Sequence, residues 1–369
     1  MSPDLRAKTA AALLCALVIL GAIPGALGAK PRRYSYRSTY TFENRGDEPY
    51  VIVDDDTEVP MFVDNNWQRV LIIDSSHDIR QERADKDGNS VGIMDLPTEI
   101  QAGESLVFSI EYLLESAGMD RPQIDSALSG EIVDIPERLV DIYTSETETF
   151  RRNEEIEALA VELASGNTDV LEIVVEILGW VTSRVEYRNF EFPLYSDETL
   201  RDRQGDCDDQ AILMISMLRY LGIPSFLQIG VVFSDSISSE TASRDGHLTF
   251  VQEGIGWHGW AMVYVPPWGW IPIDLTLTNA REPIDMILDA PEYSSNIITA
   301  FNVSEQHYIG GSRSSWETLV ASDIYITVAD IAIENADTSF WDSYTLIGAV
   351  VIGSAVLVGI FMLLPRKTA

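Results

Sequence analysis

Hydrophobic and polar positions alternate with a two-residue period over the first third of the chain. Between residues 34 and 115, short β-prone runs are separated by turn-forming groups such as Arg45-Gly46-Asp47. The clearest runs lie at residues 50–53, 69–73, 91–94 and 106–110. Short strands at this spacing are typical of an antiparallel sandwich. We therefore predict a β-sandwich domain over residues 34–130.

The hydrophobic period becomes that of helices after residue 131. Residues 154–164 place their apolar side chains on one face, which predicts an amphipathic helix. A second helix is predicted to begin at Asn167 or Thr168 and to end near Arg184. A third segment, residues 207–221, has almost no polar face, so it predicts a helix enclosed by the rest of a domain.

The segments that follow are β-prone again. Runs at residues 226–233, 248–251 and 259–265 predict strands, and the polar segment 234–246 predicts a loop. Residues 257–276 predict a hairpin that closes at Pro266-Pro267. If its strands pair about this turn, His258 and Asp274 share one face, with β-carbons roughly 5–8 Å apart. We therefore predict a second, α+β domain over residues 131–280; residues 281–342 either complete it or form a stalk.

The two ends of the chain predict membrane targeting. Residues 1–29 contain a short basic region, an apolar run and small residues, which is typical of a signal peptide; an uncleaved signal anchor is the alternative. Residues 344–364 are uncharged and apolar, with aromatic residues before them and Arg366-Lys367 after them. This pattern predicts a single-pass C-terminal transmembrane helix in the cell membrane, with the α+β domain outside the cytoplasm.

The charge of the chain limits its partners. There are 25 Lys and Arg residues against 58 Asp and Glu residues, for a formal net charge of -33. Such a surface repels nucleic acid and anionic lipid headgroups, so we predict no nucleic-acid partner. The acidic residues fit either a surface adapted to high salt or a surface that binds a cationic partner.

Cys207 combines two features that make a thiol reactive. It is one of two cysteines, and because the other, Cys15, lies in the leader, we expect a free thiol. Asp206 is the predicted N-cap of the enclosed helix, and Asp209 is placed to reach back to that cap, so Cys207 is the first helical residue. Helix dipoles favour a thiolate there, whereas the neighbouring carboxylates, including Asp208, oppose it. We predict a thiolate–imidazolium pair, provided those carboxylates face solvent or cap the backbone.

The hairpin supplies the partners that a cysteine nucleophile requires. His258 is placed to take the proton from Cys207, and Asp274 is placed to orient the imidazole. A single strand histidine is usually structural, but the combination with a free thiol at a helix start favours catalysis. The sequence contains no zinc-protease or phosphate-binding motif, and its other histidines lack companions at ligand spacing. We therefore predict no metal and no cofactor.

These motifs resemble the transglutaminase-like superfamily. The similarity is carried by Gly205-x-Cys207-x-Asp209-x-Ala211, Leu218-Arg219-x-x-Gly222-Ile223-Pro224, His258-x-Trp260 and Gly269-Trp270-x-x-x-Asp274-x-Thr276. The β-rich segment before them is similar to that of membrane-anchored prokaryotic and archaeal members.

The resemblance implies a papain-like core with N-terminal helices, a buried cysteine helix and an antiparallel sheet. It implies that Cys207 is the nucleophile, His258 the base and Asp274 the orienting acid. Asp209 and Trp260 match recurring family positions. The Cys207 N–H is one oxyanion donor, and Gln204 and Trp180 are the candidates for the second.

The expected activity is acyl transfer on a protein or peptide substrate. Cys207 attacks a carboxamide or peptide carbonyl and forms a thioester, which water or an amine resolves. Water would make the protein a peptidase or amidase, whereas an amine would make it a cross-linking enzyme. The alternative is a non-catalytic surface protein that uses the same fold for adhesion or as a scaffold.

Overall fold

The computed structural model describes residues 31–335. Its strands are β1 (Arg32–Asn44), β2 (Tyr50–Val51), β3 (Glu58–Pro60), β4 (Gln68–Ser75), β5 (Ile79–Ala84), β6 (Ser90–Met94), β7 (Glu99–Ile100), β8 (Ser105–Ser116), β9 (Glu186–Tyr187), β10 (Gln204–Gly205), β11 (Ser225–Ser243), β12 (Leu248–Val265), β13 (Gly269–Ile273), β14 (Ile297–Val303) and β15 (Ile324–Glu334). Its helices are α1 (Glu137–Tyr143), α2 (Glu154–Ala164), α3 (Val170–Arg184), α4 (Ser196–Asp202), α5 (Cys207–Tyr220), α6 (Pro283–Leu288) and α7 (Tyr308–Val320).

The two membrane-targeting predictions lie outside the described residues. The signal segment, residues 1–29, precedes them and the apolar segment, residues 344–364, follows them. Within residues 31–335, each helix is too short or too polar to cross a membrane.

One mixed sheet joins the two predicted domains. Its strand order is β14-β11-β12-β15-β1-β8-β4, and β13 pairs with β12. β15 lies between β12, to which it is parallel, and β1, to which it is antiparallel. This shared sheet replaces the separate β-sandwich expected over residues 34–130. Alternation predicts that a segment is a strand, but it carries no information about the partner strand.

The sheet curls so that its two end strands approach each other. Gln68 on β4 donates to the Thr299 carbonyl on β14 at 2.8 Å, and the Thr299 N–H returns a 2.8 Å bond to the Gln68 side chain. An apolar core fills the curl, with aromatic side chains from β1 and β8 stacked against each other, among them Tyr36 and Tyr112. Residues from β11, β12 and β14 complete this core, so the N-terminal strands support the strand that carries His258.

A buried carboxylate ties three strands together. Asp330 on β15 is 1% exposed and accepts hydrogen bonds from Tyr36 Oη at 2.8 Å, Ser38 Oγ at 2.7 Å and Trp257 Nε1 at 2.9 Å. Three donors satisfy a buried carboxylate that has no cation beside it. Because Trp257 precedes His258, this cluster fixes β12 next to the candidate base.

The helices cover the other face of β11, β12 and β13. α2 and α3 pack with α5 around a second apolar core. α2 has the predicted bounds, whereas α3 is capped by Asp169, whose side chain accepts from the Glu172 N–H, rather than by Asn167 or Thr168. α5 begins at Cys207 and is followed by Gly222 with φ 81°, as the sequence predicts.

The segment predicted as a loop and the region after residue 281 both belong to the sheet. Residues 234–243 continue β11, and residues 238–243 pair with β12 after an irregularity, although their polar composition predicted a loop. They form an exposed hairpin arm, so burial does not select apolar residues there. After residue 281, β14 and β15 belong to the main sheet, so this region completes the fold as far as residue 335.

Candidate active site

The hairpin places a histidine against an aspartate. β12 and β13 pair with Ala261 opposite Ile273 and Val265 opposite Gly269. His258 lies before this paired region and Asp274 directly after it. His258 Nε2 and Asp274 Oδ2 are 2.7 Å apart, and both residues are buried. The side-chain contact expected from the hairpin is therefore present.

Asp274 is held as an anion by several donors. Its Oδ1 accepts from the N–H groups of Thr276 and Leu277, both at 3.0 Å, while Oδ2 faces His258. Burial alone would raise the pKa of this carboxyl, but the interactions with His258 and the other donors lower the pKa to about 2. An ionised Asp274 accepts a hydrogen bond from the Nε2–H group, which leaves Nδ1 as the basic nitrogen of His258.

Cys207 lies at the start of α5 and against the strand of His258. The Asp206 N–H donates to Asp209 Oδ2 at 3.1 Å, so the predicted reach of Asp209 back to the helix start is present. Asp209 Oδ1 also accepts from the Leu194 N–H at 2.6 Å. The N–H of Gly259, the residue after His258, lies near the Cys207 thiol and acts to lower its pKa. Within residues 31–335, no hydrogen bond joins the thiol to the imidazole.

The surroundings of the thiol correct the expectation of a resting thiolate. Burial raises the pKa of Cys207 well above its ordinary value, and the charges of Asp208 and Asp206 raise it further. The N–H groups of Gly259 and Asp208 act in the opposite direction but are weaker. The sequence-based expectation required the carboxylates to face solvent or cap the helix, and Asp208 does neither.

Asp208 is turned toward a tyrosine from the C-terminal part of the chain. Its Oδ2 accepts from Tyr308 Oη at 2.9 Å, and only 8% of Asp208 is exposed. Burial and Asp208 raise the pKa of Tyr308 well above its usual value, so the phenol stays protonated and donates this bond. Asp208 is consequently a buried negative charge beside Cys207.

Removing the charge of Asp208 should make Cys207 more reactive. In Asp208→Asn the amide oxygen still accepts from Tyr308, but the repulsion of the thiolate is lost. A charge pair about 5 Å apart is worth roughly 1 kcal/mol in water, so alkylation by iodoacetamide near neutral pH should be roughly fivefold faster or more. Asp202→Asn, an exposed acid on α4 paired with Arg201, is the control. Equal alkylation rates in the two variants would contradict this assignment.

Gly259 allows the cysteine helix to approach the strand. A Cβ at this position would lie 2.9 Å from Asp208 Cβ and 3.0 Å from Ile229 Cδ1. Real side chains do not pack so closely, so any larger residue would push α5 away from β12. The contact explains why a glycine follows His258.

The substitution Gly259→Ala should therefore destabilise the fold. Overpacking of this size costs about 1–3 kcal/mol, measured as the free energy of unfolding in urea. Activity should fall as well, because Cys207 moves with α5. Gly256→Ala on the same strand is the matched control, since its Cβ would lie 3.3 Å from the flexible Ile237 Cδ1. The same loss in both variants would show that the β12 backbone, and not the approach of α5, is responsible.

The remaining predicted site residues lie around the helix start and the hairpin. Trp260 is fully buried and stacks on His258, with ring centroids 5.8 Å apart. Gln204 Oε1 accepts from Arg188 Nη1 at 2.9 Å, which leaves its amide N–H groups available. Trp180 lies beneath the guanidinium of Arg203, at 4.4 Å. The roles of Gln204 and Trp180 as second oxyanion donors stay predictions.

Among residues 31–335, two groups of side chains have the chemistry to bind a metal ion. They are Asp206, Cys207 and Asp208, and His258, Asp274 and Glu292; within each group the potential ligand atoms lie within 4.8 Å of one another. In the second group His258 and Asp274 already bond to each other. The absence of a metal stays a prediction of the sequence.

Comparison with known proteins identifies the core of the chain. The sequence profile of the transglutaminase-like superfamily matches residues 157–275. These residues form a transglutaminase-like domain. The match contains Cys207, His258 and Asp274 and covers less than half of the chain. No curated protein matches the chain in sequence.

The chain is similar to several solved structures of proteases, one of them over most of its length. A candidate cysteine protease from Cytophaga hutchinsonii is similar over 85% of this chain and 94% of its own, with 15% identity and a TM-score of 0.50. A candidate protease from Parabacteroides distasonis is similar over 74% of this chain and 68% of its own, with 12% identity and a TM-score of 0.26. Legionella pneumophila LapG is similar over 51% of this chain and 96% of its own, with 13% identity and a TM-score of 0.26. The first of these supports a shared fold.

Residues beyond the transglutaminase-like domain also enter the site. Tyr308 and Glu292 both lie after residue 275, and sequence reasoning did not select either of them. Neither belongs to a recognisable motif, and Tyr308 is separated from Asp208 by 100 positions. The sequence marks Tyr308 and Glu292 only as polar side chains within segments that otherwise predict buried structure.

Proposed function

We propose that this protein is a cysteine peptidase or amidase that acts on protein or peptide substrates. The observation that carries the proposal is the buried His258–Asp274 pair beside the helix start that holds Cys207. A buried aspartate that accepts from an imidazole orients the ring and stabilises its protonated form. Cys207 is a free thiol at the start of a helix that packs against the strand of that base at Gly259, so it is the candidate nucleophile.

The proposed reaction begins from a neutral thiol, because burial and Asp208 disfavour the resting thiolate. As Cys207 Sγ attacks the substrate carbonyl carbon, His258 Nδ1 takes the thiol proton. His258 then gives this proton to the leaving nitrogen, the C–N bond breaks and a thioester remains. Water attacks the thioester and loses a proton to His258, which returns it to the departing sulfur. The products are a carboxylic acid and an amine or ammonia.

The start of α5 is placed to stabilise the oxyanion. The first N–H groups of a helix have no acceptor within the helix. The Cys207 N–H has no acceptor among the hydrogen bonds of residues 31–335, so it is available to the carbonyl oxygen that becomes negative. The amide of Gln204, three residues earlier, supports its candidacy as the second donor.

The test is to follow product masses with the purified full-length chain. Casein and a glutamine-containing peptide are incubated with it, with and without a primary amine. Cleaved peptides or deamidated glutamine would support hydrolysis, whereas an adduct of the amine would select the transferase reaction instead. The absence of both products and of a Cys207 acyl-enzyme would favour the non-catalytic scaffold.

The location outside the cytoplasm is part of the proposal. The apolar segment at residues 344–364 followed by Arg366-Lys367 supports a C-terminal anchor with the basic pair on the cytoplasmic side. A protease added to intact cells should then degrade the catalytic domain. Protection of the domain until the cells are lysed would contradict this location.

A further inference from the structure

A buried glutamate lies next to the candidate catalytic pair. Glu292 sits in a short turn, Pro291–Tyr293, between α6 and β14. It is 5% exposed, and its carboxyl oxygens accept no hydrogen bond from the N–H or O–H groups of the described residues. Its polar atoms lie within 4.8 Å of those of His258 and Asp274. The turn is held in place by the Met119 N–H, which donates to the Glu292 carbonyl at 2.9 Å.

Among the described residues, no positive charge is placed to neutralise Glu292. The charged and titratable groups that face it are Asp274, His258 behind Asp274, and the phenol of the adjacent Tyr293. The nearest arginine of the neighbouring loop, Arg121, pairs with Asp289 at 3.1 Å and stacks over the Tyr293 ring at 5.5 Å. A buried carboxylate with neither a donor nor a cation is strongly disfavoured, and a second anion beside it increases that penalty.

We infer that Glu292 carries a proton and donates a hydrogen bond to Asp274, as a positioning residue of the proposed active site. A carboxylic acid has one O–H donor, whereas a carboxylate has none. Asp274 then receives donors from His258, Thr276, Leu277 and Glu292, and its negative charge is shared among them. Burial and the charge of Asp274 accordingly raise the pKa of Glu292 well above its usual value.

A hydrogen bond from Glu292 to Asp274 would affect the base, His258, through its partner Asp274. A donor on Asp274 holds the carboxylate in place and reduces its basicity, and both effects bear on the proton that His258 takes from Cys207. The expected effect on kinetics rests on the proposed function, whereas the protonation state of Glu292 is independent of it. We therefore describe one test that measures activity and one that measures protonation.

The kinetic test compares Glu292→Gln with Glu292→Leu. Glutamine keeps the size and an N–H donor, so kcat/KM should stay within about threefold of wild type. Leucine fills similar space without a donor, so kcat should fall roughly tenfold or more with little change in KM, and the acidic limb of the pH profile should move to higher pH. A purely structural role would lower activity in both variants without moving the profile. Wild-type activity in Glu292→Leu would overturn the positioning role.

The second test is independent of activity. The infrared difference spectrum of wild type minus Glu292→Gln at neutral pH should contain the carbonyl stretch of a protonated carboxylic acid. Above about pH 4.3, Glu292 is protonated in the folded state but ionised in the unfolded state. Its contribution to the stability of the fold therefore decreases as pH rises above about 4.3. The unfolding midpoint of Glu292→Gln should therefore rise relative to wild type between about pH 5 and about pH 8.

The outcomes separate failure of the inference from failure of the proposed function. A carboxylate band in place of the carboxylic acid band, with no pH-dependent difference in stability, would overturn the inference. A loss of activity in Glu292→Gln as large as in Glu292→Leu would also do so, since it indicates an ionised glutamate or a metal ligand. If wild type itself is inactive, the proposed function fails, while the spectrum and the stability data still decide the protonation of Glu292.

Discussion

Replacing Cys207 with alanine is expected to abolish product formation. In the proposed mechanism Sγ forms the bond to the substrate carbonyl, and no other nucleophile accompanies His258 in the described site. Removal of the nucleophile from a comparable triad lowers kcat by roughly 10⁶-fold, so we expect the rate to fall to the limit of detection. The measurement is the initial rate of peptide cleavage or ammonia release at saturating substrate.

The Cys207 variants must keep the fold, and a substitution away from the site must leave the rate unchanged. Alanine is a good helix former and removes one half-buried sulfur from the start of α5, so urea unfolding should be little changed. Cys207→Ser should be nearly as inactive as alanine, because a hydroxyl holds its proton more tightly than a thiol. Asp202→Asn should retain wild-type rates. Substantial turnover by the alanine variant would assign the chemistry to another residue.

The second large effect is expected from Asp274→Asn. Asp274 Oδ1 faces the N–H groups of Thr276 and Leu277, so the amide oxygen of asparagine must take that position. Its NH₂ group then faces His258 Nε2 and donates to it. The imidazole proton is thereby forced onto Nδ1, which can no longer accept the thiol proton. An aspartate in this role is worth roughly 10⁴-fold in kcat, measured as the rate of peptide cleavage.

The same substitution should have a pH-dependent effect on stability. The pKa of Asp274 is lowered to about 2 in the folded chain, against about 3.9 in an unfolded chain. Its ionisation therefore stabilises the fold above about pH 4, and this contribution is lost as pH falls through about 2. Asp274→Asn should be less stable than wild type at neutral pH by about 2 kcal/mol, with the difference narrowing in acid. The exposed Asp289→Asn should show neither effect.

The candidate site was predictable where its residues are close in sequence or belong to a local pattern. The helix start at Cys207 follows from the Asp206 and Asp209 positions, because capping involves residues only three apart. The hairpin places His258 near Asp274, because their separation is set by a short turn. Both inferences use local geometry, and the hydrogen bonds of the structure agree with them.

Long-range contacts could not be predicted in the same way. The contacts of Tyr308 with Asp208 and of Glu292 with Asp274 depend on how α7 and the turn after α6 pack. The pairing of β1 with β15 joins residues nearly 300 positions apart, and the alternating pattern is the same whichever strand is the partner. The raised pKa of the Cys207 thiol was missed for this reason, since it is caused first by burial of the thiol and then by the charge of Asp208, and Asp208 is held by Tyr308 from a distant segment.

The position of β15 has a consequence for the order in which the protein folds. β15 is the last strand of the described chain, yet it fills the gap between β1 and β12 at the centre of the sheet. During synthesis, β1 therefore emerges long before the strand that joins it to the rest of the fold. Closing so long a loop is slow and leaves strand edges unpaired in the meantime. Asp330, which anchors Trp257 beside His258, arrives with β15, so a chain truncated before residue 324 should lack a correctly supported base.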